Sequence, residues 1–337
     1  MLDAGSTDNL LEVKGLVKYF KVKRSLYELL RGNYDSRGIV KAVDGVSFSI
    51  ERGKTLVLAG ESGSGKSTIA RLILKAIEPD RGTIMFDGKD VTRLSRSEKW
   101  FRRSVQMIHQ DPYSSLNPRM KILSIVSEPL EIHGFAKKER EELAFKALQE
   151  VRLEPVEDIA YRYPHMLSGG QRQRVAIARA LVLKPKLVVA DEPVSMLDMS
   201  VRAEILELMN SIKAKYNITY MYITHDLSTS RYFGDDIAIL YKGKIVEMGC
   251  IDEVLNNPLH PYTQALIDAI PEPEPSNRYK EKVVRIKIKI KMKIENDGIS
   301  EQGCRFYARC PYAMDKCMQE PIMKKAKDDH YVSCFLY

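Results

Sequence analysis

From Leu11 to about Ile270 this chain alternates short apolar runs with stretches of helical periodicity. Thr55-Leu56-Val57-Leu58-Ala59 is too short for a helix and predicts a buried strand. After Gly65 the period changes, and Ile69, Ala70, Leu72, Ile73 and Ala76 share one helical face. Leu187-Val188-Val189-Ala190 and Ile218 to Ile223 predict two further buried strands, with a helix over Val201 to Lys215 between them. Asp87-Gly88 within Thr83 to Val91 and Lys242-Gly243 within Ile237 to Met248 predict hairpins, the first of type I′. Continuous apolar strands that alternate with helices imply an α/β domain with a largely parallel sheet. Between about Gln110 and Gly170 the strand signal fades, and an amphipathic helix over Lys137 to Val151 marks a helical insertion.

Pro271, Pro273 and Pro275 then stiffen the chain into a linker. We therefore expect a first domain over 1–270, with a helical subdomain at about 110–178, and an extension over 271–337. Within that extension Arg285 to Ile294 alternates basic and apolar residues, a pattern that suits an edge strand protected by lysine better than a grip on nucleic acid or lipid.

Composition bounds the class without choosing the function. The 337 residues carry 53 Lys plus Arg against 45 Asp plus Glu, a net charge of +8, with 44% hydrophobic and 29% charged residues. This is a globular composition, which excludes a disordered, collagen-like or coiled-coil chain. No apolar run approaches the roughly 18 residues of a membrane-spanning helix, and the N-terminus lacks the basic and then apolar pattern of a secretory leader. A cytoplasmic chain is the expectation. Five cysteines are present, and Cys304, Cys310, Cys317 and Cys334 crowd the last segment. In a reducing compartment such a group reads as a metal site before it reads as disulfides. Four thiolates suit zinc or an iron–sulfur cluster, and their spacings are wider than those of common zinc modules. Cys250 stands apart and reads as a small buried hydrophobe, and His330 as structural.

The chemistry lies in three segments. Gly60-Glu61-Ser62-Gly63-Ser64-Gly65-Lys66-Ser67, followed by Thr68, fits G-x-x-x-x-G-K-[ST] between a strand and a helix. Its glycines let backbone N–H groups turn around phosphate oxygens, Lys66 neutralises the outer phosphates, and Ser67 is placed to ligate Mg²⁺. Leu187 to Ala190 end in Asp191 and Glu192, the first suited to hold Mg²⁺ and the second to polarise an attacking water. Leu167-Ser168-Gly169-Gly170-Gln171 precedes an Arg-rich helix that Ser168 can cap; a cap alone would not call for Gly-Gly-Gln, so the segment is also a candidate anion clamp.

Together with Thr224-His225-Asp226, these motifs resemble, in order and over nearly all of the first 250 residues, the ATP-binding subunit of an ABC transporter. The resemblance implies a RecA-like P-loop fold binding ATP and Mg²⁺, and a head-to-tail dimer with each ATP sandwiched between one P-loop and the partner's Leu167–Gln171 counterpart. It assigns Gln110 to the Mg²⁺ and the attacking water, Asp198 to the dimer face, and His225 to the γ-phosphate. His109 to Pro118, Tyr163-Pro164-His165, Asp191 to Ser195 and Asn257 to Thr263 resemble, more narrowly, the second ATPase subunit of the oligopeptide/dipeptide importers. That branch implies a homologous ATPase partner (a homodimer in isolation being possible), two permeases, an extracytoplasmic binding protein, and a peripheral place on the cytoplasmic membrane face. It also implies a [4Fe–4S] cluster on Cys304, Cys310, Cys317 and Cys334, ahead of zinc. Nickel or oligosaccharide import, and a soluble ABC-type ATPase on nucleic acid, are the alternatives; no nucleic-acid partner is expected. For the adenine-stacking residue, Arg37, Tyr34 and Tyr19 are the candidates.

Overall fold

The computed structural model describes residues 8–21, 38–95, 97–270, 303–327 and 329–337. The proline-rich stretch, the basic alternation of 285–294, Tyr34 and Arg37 lie outside these residues. Twelve strands are numbered along the described chain: β1 (Asn9–Lys21), β2 (Ile39–Glu51), β3 (Thr55–Ala59), β4 (Arg81–Phe86), β5 (Lys89–Asp90), β6 (Val105–Ile108), β7 (Leu187–Asp191), β8 (Thr219–Thr224), β9 (Asp236–Tyr241), β10 (Lys244–Cys250), β11 (Lys324–Lys327) and β12 (His330–Val332).

They form two sheets. An eight-stranded sheet runs β11-β12-β10-β9-β3-β8-β7-β6, and its central part from β9 to β6 is parallel. A four-stranded antiparallel sheet, β2-β1-β4-β5, covers one face. β3 shows why the layers form: Leu56 and Leu58 face a core shared with Leu11, Phe48 and Phe86 of the antiparallel sheet, whereas Val57 and Ala59 face a core built with the helices. Burying such a side chain contributes about 1.5–3 kcal/mol, and a strand apolar on both faces can stand only between two layers.

Both expected hairpins are present. Asp87 and Gly88 have φ of 52° and 73°, and Lys242 and Gly243 have φ of 44° and 83°, the left-handed pairs that a type I′ connection requires. The helical insertion is seen as helices at Ile122–Ile132 and Lys137–Glu150, leading into Gly169–Leu181. The helix after Gly65 is shorter than its periodicity suggests. It ends at Ile73, Lys75 turns left-handed at φ 55°, and Ala76 is exposed.

The C-terminal residues extend the same eight-stranded sheet. β12 pairs with β10 through Glu247↔Val332 and Met248↔Tyr331, and Phe306 is buried against Tyr241 and Tyr262. Cys250 contradicts the sequence reading. It is exposed at the end of β10, just before the helix Ile251–Asn256.

Candidate functional site: a phosphate loop facing three strand ends

β3 delivers the chain to Gly60, and a loop carries it into the helix Lys66–Ile73. Two glycines make the loop possible. A Cβ on Gly60 (φ 148°) would lie 2.1 Å from the Leu240 carbonyl oxygen, and one on Gly65 (φ 111°) 2.2 Å from that of Ala42. Only glycine fits there. No side chain caps the helix, so its first turn keeps N–H groups for an anion.

Lys66 is 6% exposed, and its ammonium donates to the carbonyls of Gly60 at 2.6 Å and Glu61 at 2.9 Å. Burial pulls its pKa below the usual lysine value, while the charges of Glu192, Asp191 and Glu61 oppose that shift. Asp191 is held above the usual carboxylate value by burial, partly offset by a hydrogen bond from Ser67. Ser67 and Asp191 therefore stand together, an oxygen pair that fits a hard cation such as Mg²⁺.

Strand order explains the rest of the constellation. β6, β7 and β8 are parallel neighbours, with Ile108 opposite Ala190 and Asp191 opposite Ile223. Gln110, Glu192 and His225, each just past a strand's carboxyl end, consequently emerge side by side, where open α/β sheets place their ligands. Glu192 is left-handed, with φ 47°. Its Oε2 accepts from Gln110 Nε2 at 2.8 Å, and its Oε1 lies 2.7 Å from His225 Nδ1. A single pocket is lined by the P-loop, Gln110, Asp191, Glu192 and His225.

The structure leaves the other sequence-derived residues outside that pocket. Leu167 is buried, and Ser168 caps the helix Gly169–Leu181: Ser168 Oγ accepts from the Gln171 N–H at 3.3 Å, and Gln171 Oε1 accepts from the Ser168 N–H at 3.1 Å. Gln171 thus completes a capping box, a role that the sequence reading had denied a plain cap. A Cβ on Gly170 would meet Val201 Cγ1 at 2.8 Å, so its bareness serves local packing. Asp198 sits at the N-cap of the helix Met199–Tyr216 but makes no side-chain cap. It is exposed between Met196 and Met199, which are 61% and 83% exposed.

Tyr19 is not in the pocket: its hydroxyl donates to Asp44 at 2.6 Å. Sequence reasoning also missed the pocket's far wall, made by Ile39, Val40, Leu266, Arg305, Tyr307 and Ala308. Arg309, nearby, pairs with both carboxylate oxygens of Glu61 in the P-loop, at 3.0 and 3.1 Å. No spacing rule links two segments 248 residues apart.

Cys304, Cys310, Cys317 and Cys334 line a second, smaller cavity, together with Phe306 and Tyr307. Burial pushes the Cys304 thiol up to about 11, with the other three cysteines adding to the shift, and raises Cys310 and Cys334 as well. Among the described residues no three His, Cys, Asp or Glu side chains are grouped so as to hold a single metal ion. His330 belongs elsewhere: its Nε2 lies 2.7 Å from Oε1 of the fully buried Glu247.

Comparison with known proteins agrees with this geometry. The ABC transporter family profile matches residues 43–195, and that of the oligopeptide/dipeptide transporter C-terminal region matches 246–317. The chain is 42% identical to the oligopeptide transport ATP-binding protein AppF of Bacillus subtilis over 100% of both chains. It is 42% identical to the di/tripeptide transport ATP-binding protein DppF of Pseudomonas aeruginosa, over 91% of this chain and 94% of the relative. Among solved structures it resembles the dimeric post-hydrolysis form of the ATP-binding cassette MJ0796 bound to ADP and Pi (TM-score 0.61, 29% identity, 72% of this chain and 98% of that one). It also resembles cbiO1 of Clostridium perfringens, part of the transporter complex cbiONQ (TM-score 0.62, 28% identity, 74% and 92%).

Proposed function

The chain belongs to the ATP-binding proteins of oligopeptide/dipeptide-type ABC transporters and is an ABC-type ATPase, and we propose that its turnover energises uptake of oligopeptides or dipeptides through separate membrane permeases. Among the described residues no helix is long and apolar enough to cross a membrane, in keeping with a peripheral subunit at the cytoplasmic face.

The observation that carries the mechanism is Glu192 held on both oxygens, by Gln110 and by His225, opposite the P-loop. With the triphosphate in the loop, Gly60 to Gly65 and the helix N-terminus hold its oxygens, Lys66 neutralises the outer phosphates, and Thr68 adjoins them. Ser67, Asp191 and Gln110 would hold Mg²⁺, which supplies charge neutralisation of the phosphates. Glu192 Oε takes the proton of the attacking water, Gln110 orients that water, and the His225 ring lies beside the γ-phosphate. Glu192→Gln tests this: ATP affinity should persist while turnover falls about 10²–10⁴-fold, as loss of a general base does. Unchanged turnover would refute the assignment.

Leu167–Gln171 and Asp198 we assign to a face that meets a second ATPase subunit, a homologue or, in isolation, another copy of this chain. Exposed Met166, Met196 and Met199 support that reading, since an apolar patch around polar recognition residues suits a partner surface. The four cysteines we assign to a [4Fe–4S] cluster, within a C-terminal extension over 271–337. All four thiols line one cavity, and a donor set of four cysteines suits a cluster of this kind. Iron and sulfide analysis of the purified chain tests it; zinc or no metal would refute it.

A further inference from the structure

The pocket has two unlike ends. P-loop, carboxylates and His225 fix the phosphate end; the remaining wall comes from Ile39 to Ala42 on one side and from Leu266 with Cys304 to Ala308 on the other. A nucleotide whose triphosphate fills the P-loop must direct its base toward that second wall. Among the described residues lining it, Tyr307 is the sole phenyl-type ring. Aromatic faces take nucleobases by stacking, whichever base is offered.

The segment that presents Tyr307 is fastened on both sides. Arg305 pairs with Asp44 of β2 and donates to the Lys242 carbonyl, while Arg309 grips Glu61 of the P-loop. Tyr307 itself begins a short 3₁₀ turn, its N–H donating to the Cys304 carbonyl at 3.0 Å. Across the opening, Ile39 and Val40 are 55% and 52% exposed, apolar surface with a flat apolar partner to gain.

We propose that Tyr307, carried by the cysteine-bearing segment, is the ring on which the nucleotide base lies, with Ile39 and Val40 covering the base's other face. This rests on the reading of the pocket as an ATP site. The loop between Cys304 and Cys310 then serves two cavities, since Cys304 and Tyr307 line both.

Calorimetric titration of the full chain with ATP and, separately, with inorganic tripolyphosphate tests the proposal. Tyr307→Ala should weaken ATP binding about tenfold and leave tripolyphosphate binding unchanged, because tripolyphosphate has no base to stack. Tyr307→Phe should bind both as the unaltered chain does. Equal loss of both ligands in Tyr307→Ala would mean a merely structural role, and would overturn the proposal. So would unchanged ATP affinity, as would a base-selective loss in Tyr34→Ala with none in Tyr307→Ala. If the unaltered chain bound neither ligand, the ATP-site reading itself would fall.

Discussion

Two histidine–glutamate pairs in this molecule have the same contact distance, 2.7 Å, and opposite surroundings. At the pocket, the His225 side chain is 57% exposed and Glu192 15%; where β12 meets β10, His330 is 3% exposed and Glu247 not at all. Glu247 also accepts from the N–H groups of Leu259 at 2.7 Å and His260 at 2.8 Å, so three donors converge on one desolvated carboxylate. Such a group is costly to leave without partners, and the arrangement is fixed. Glu192 has two side-chain donors on strand-end loops, and water or phosphate can replace either of them. Environment, more than pair chemistry, separates a brace from the residue we propose as the base.

The comparison can be broken by substitution. Glu192→Gln gives the largest change, the loss of turnover described above, with the folded state retained. Glu247→Ala should instead leave three donors unpaired, those of His260 and His330 buried, and cost about 3–5 kcal/mol, as breaking a buried pair does. Chemical denaturation reads that loss; a change below 1 kcal/mol would show the pair to be no brace.

Acid tests the buried side separately. Desolvation pushes the His260 imidazole down to about 4, against the pull of Glu247, and His260 is 1% exposed. The unfolded chain takes up this proton near 6.5 and the folded chain only near 4, so stability present above 6.5 is lost as pH falls between the two. The shift corresponds to about 3 kcal/mol. His260→Asn, which keeps an acceptor for the Tyr262 N–H, should flatten denaturation midpoints across that window. An unchanged slope would count against it.

The smallest effect should come from His225→Ala. An exposed pair contributes about 0–1 kcal/mol, so stability should hardly move while turnover falls. A large loss of stability would erase the distinction between the two pairs.

Much of this was legible in the sequence because it is local. The P-loop, both left-handed hairpin turns and the apolar strands β3, β7 and β8 each announce themselves within ten residues. The pairing of β1 with β2 does not, since a long stretch separates them and the alternation of Val46-Ser47-Phe48-Ser49-Ile50 names no partner strand. Nor does β11, whose sequence Lys-Lys-Ala-Lys is exposed throughout and becomes a strand only by pairing with β12. Gln171's part in the capping box went unread beside its motif, and Cys250 was taken as buried because its burial depends on where β10 ends. The base end of the pocket was invisible for the same physical reason as the pairing of β1 with β2. Contacts between distant segments are specified by packing, and packing leaves no motif.

The Arg309–Glu61 pair bears on the order of events during synthesis. A ribosome delivers Glu61 and the whole P-loop long before Arg309, and domains generally fold from the N-terminus as they emerge. The nascent chain therefore holds a glycine-rich phosphate loop without its brace until the cysteine segment arrives and docks. Closing so distant a contact is slow compared with local hairpins and helices. ATP present in the cell can thus meet an incompletely walled site first, and the site's maturation is timed by a segment made long after the P-loop.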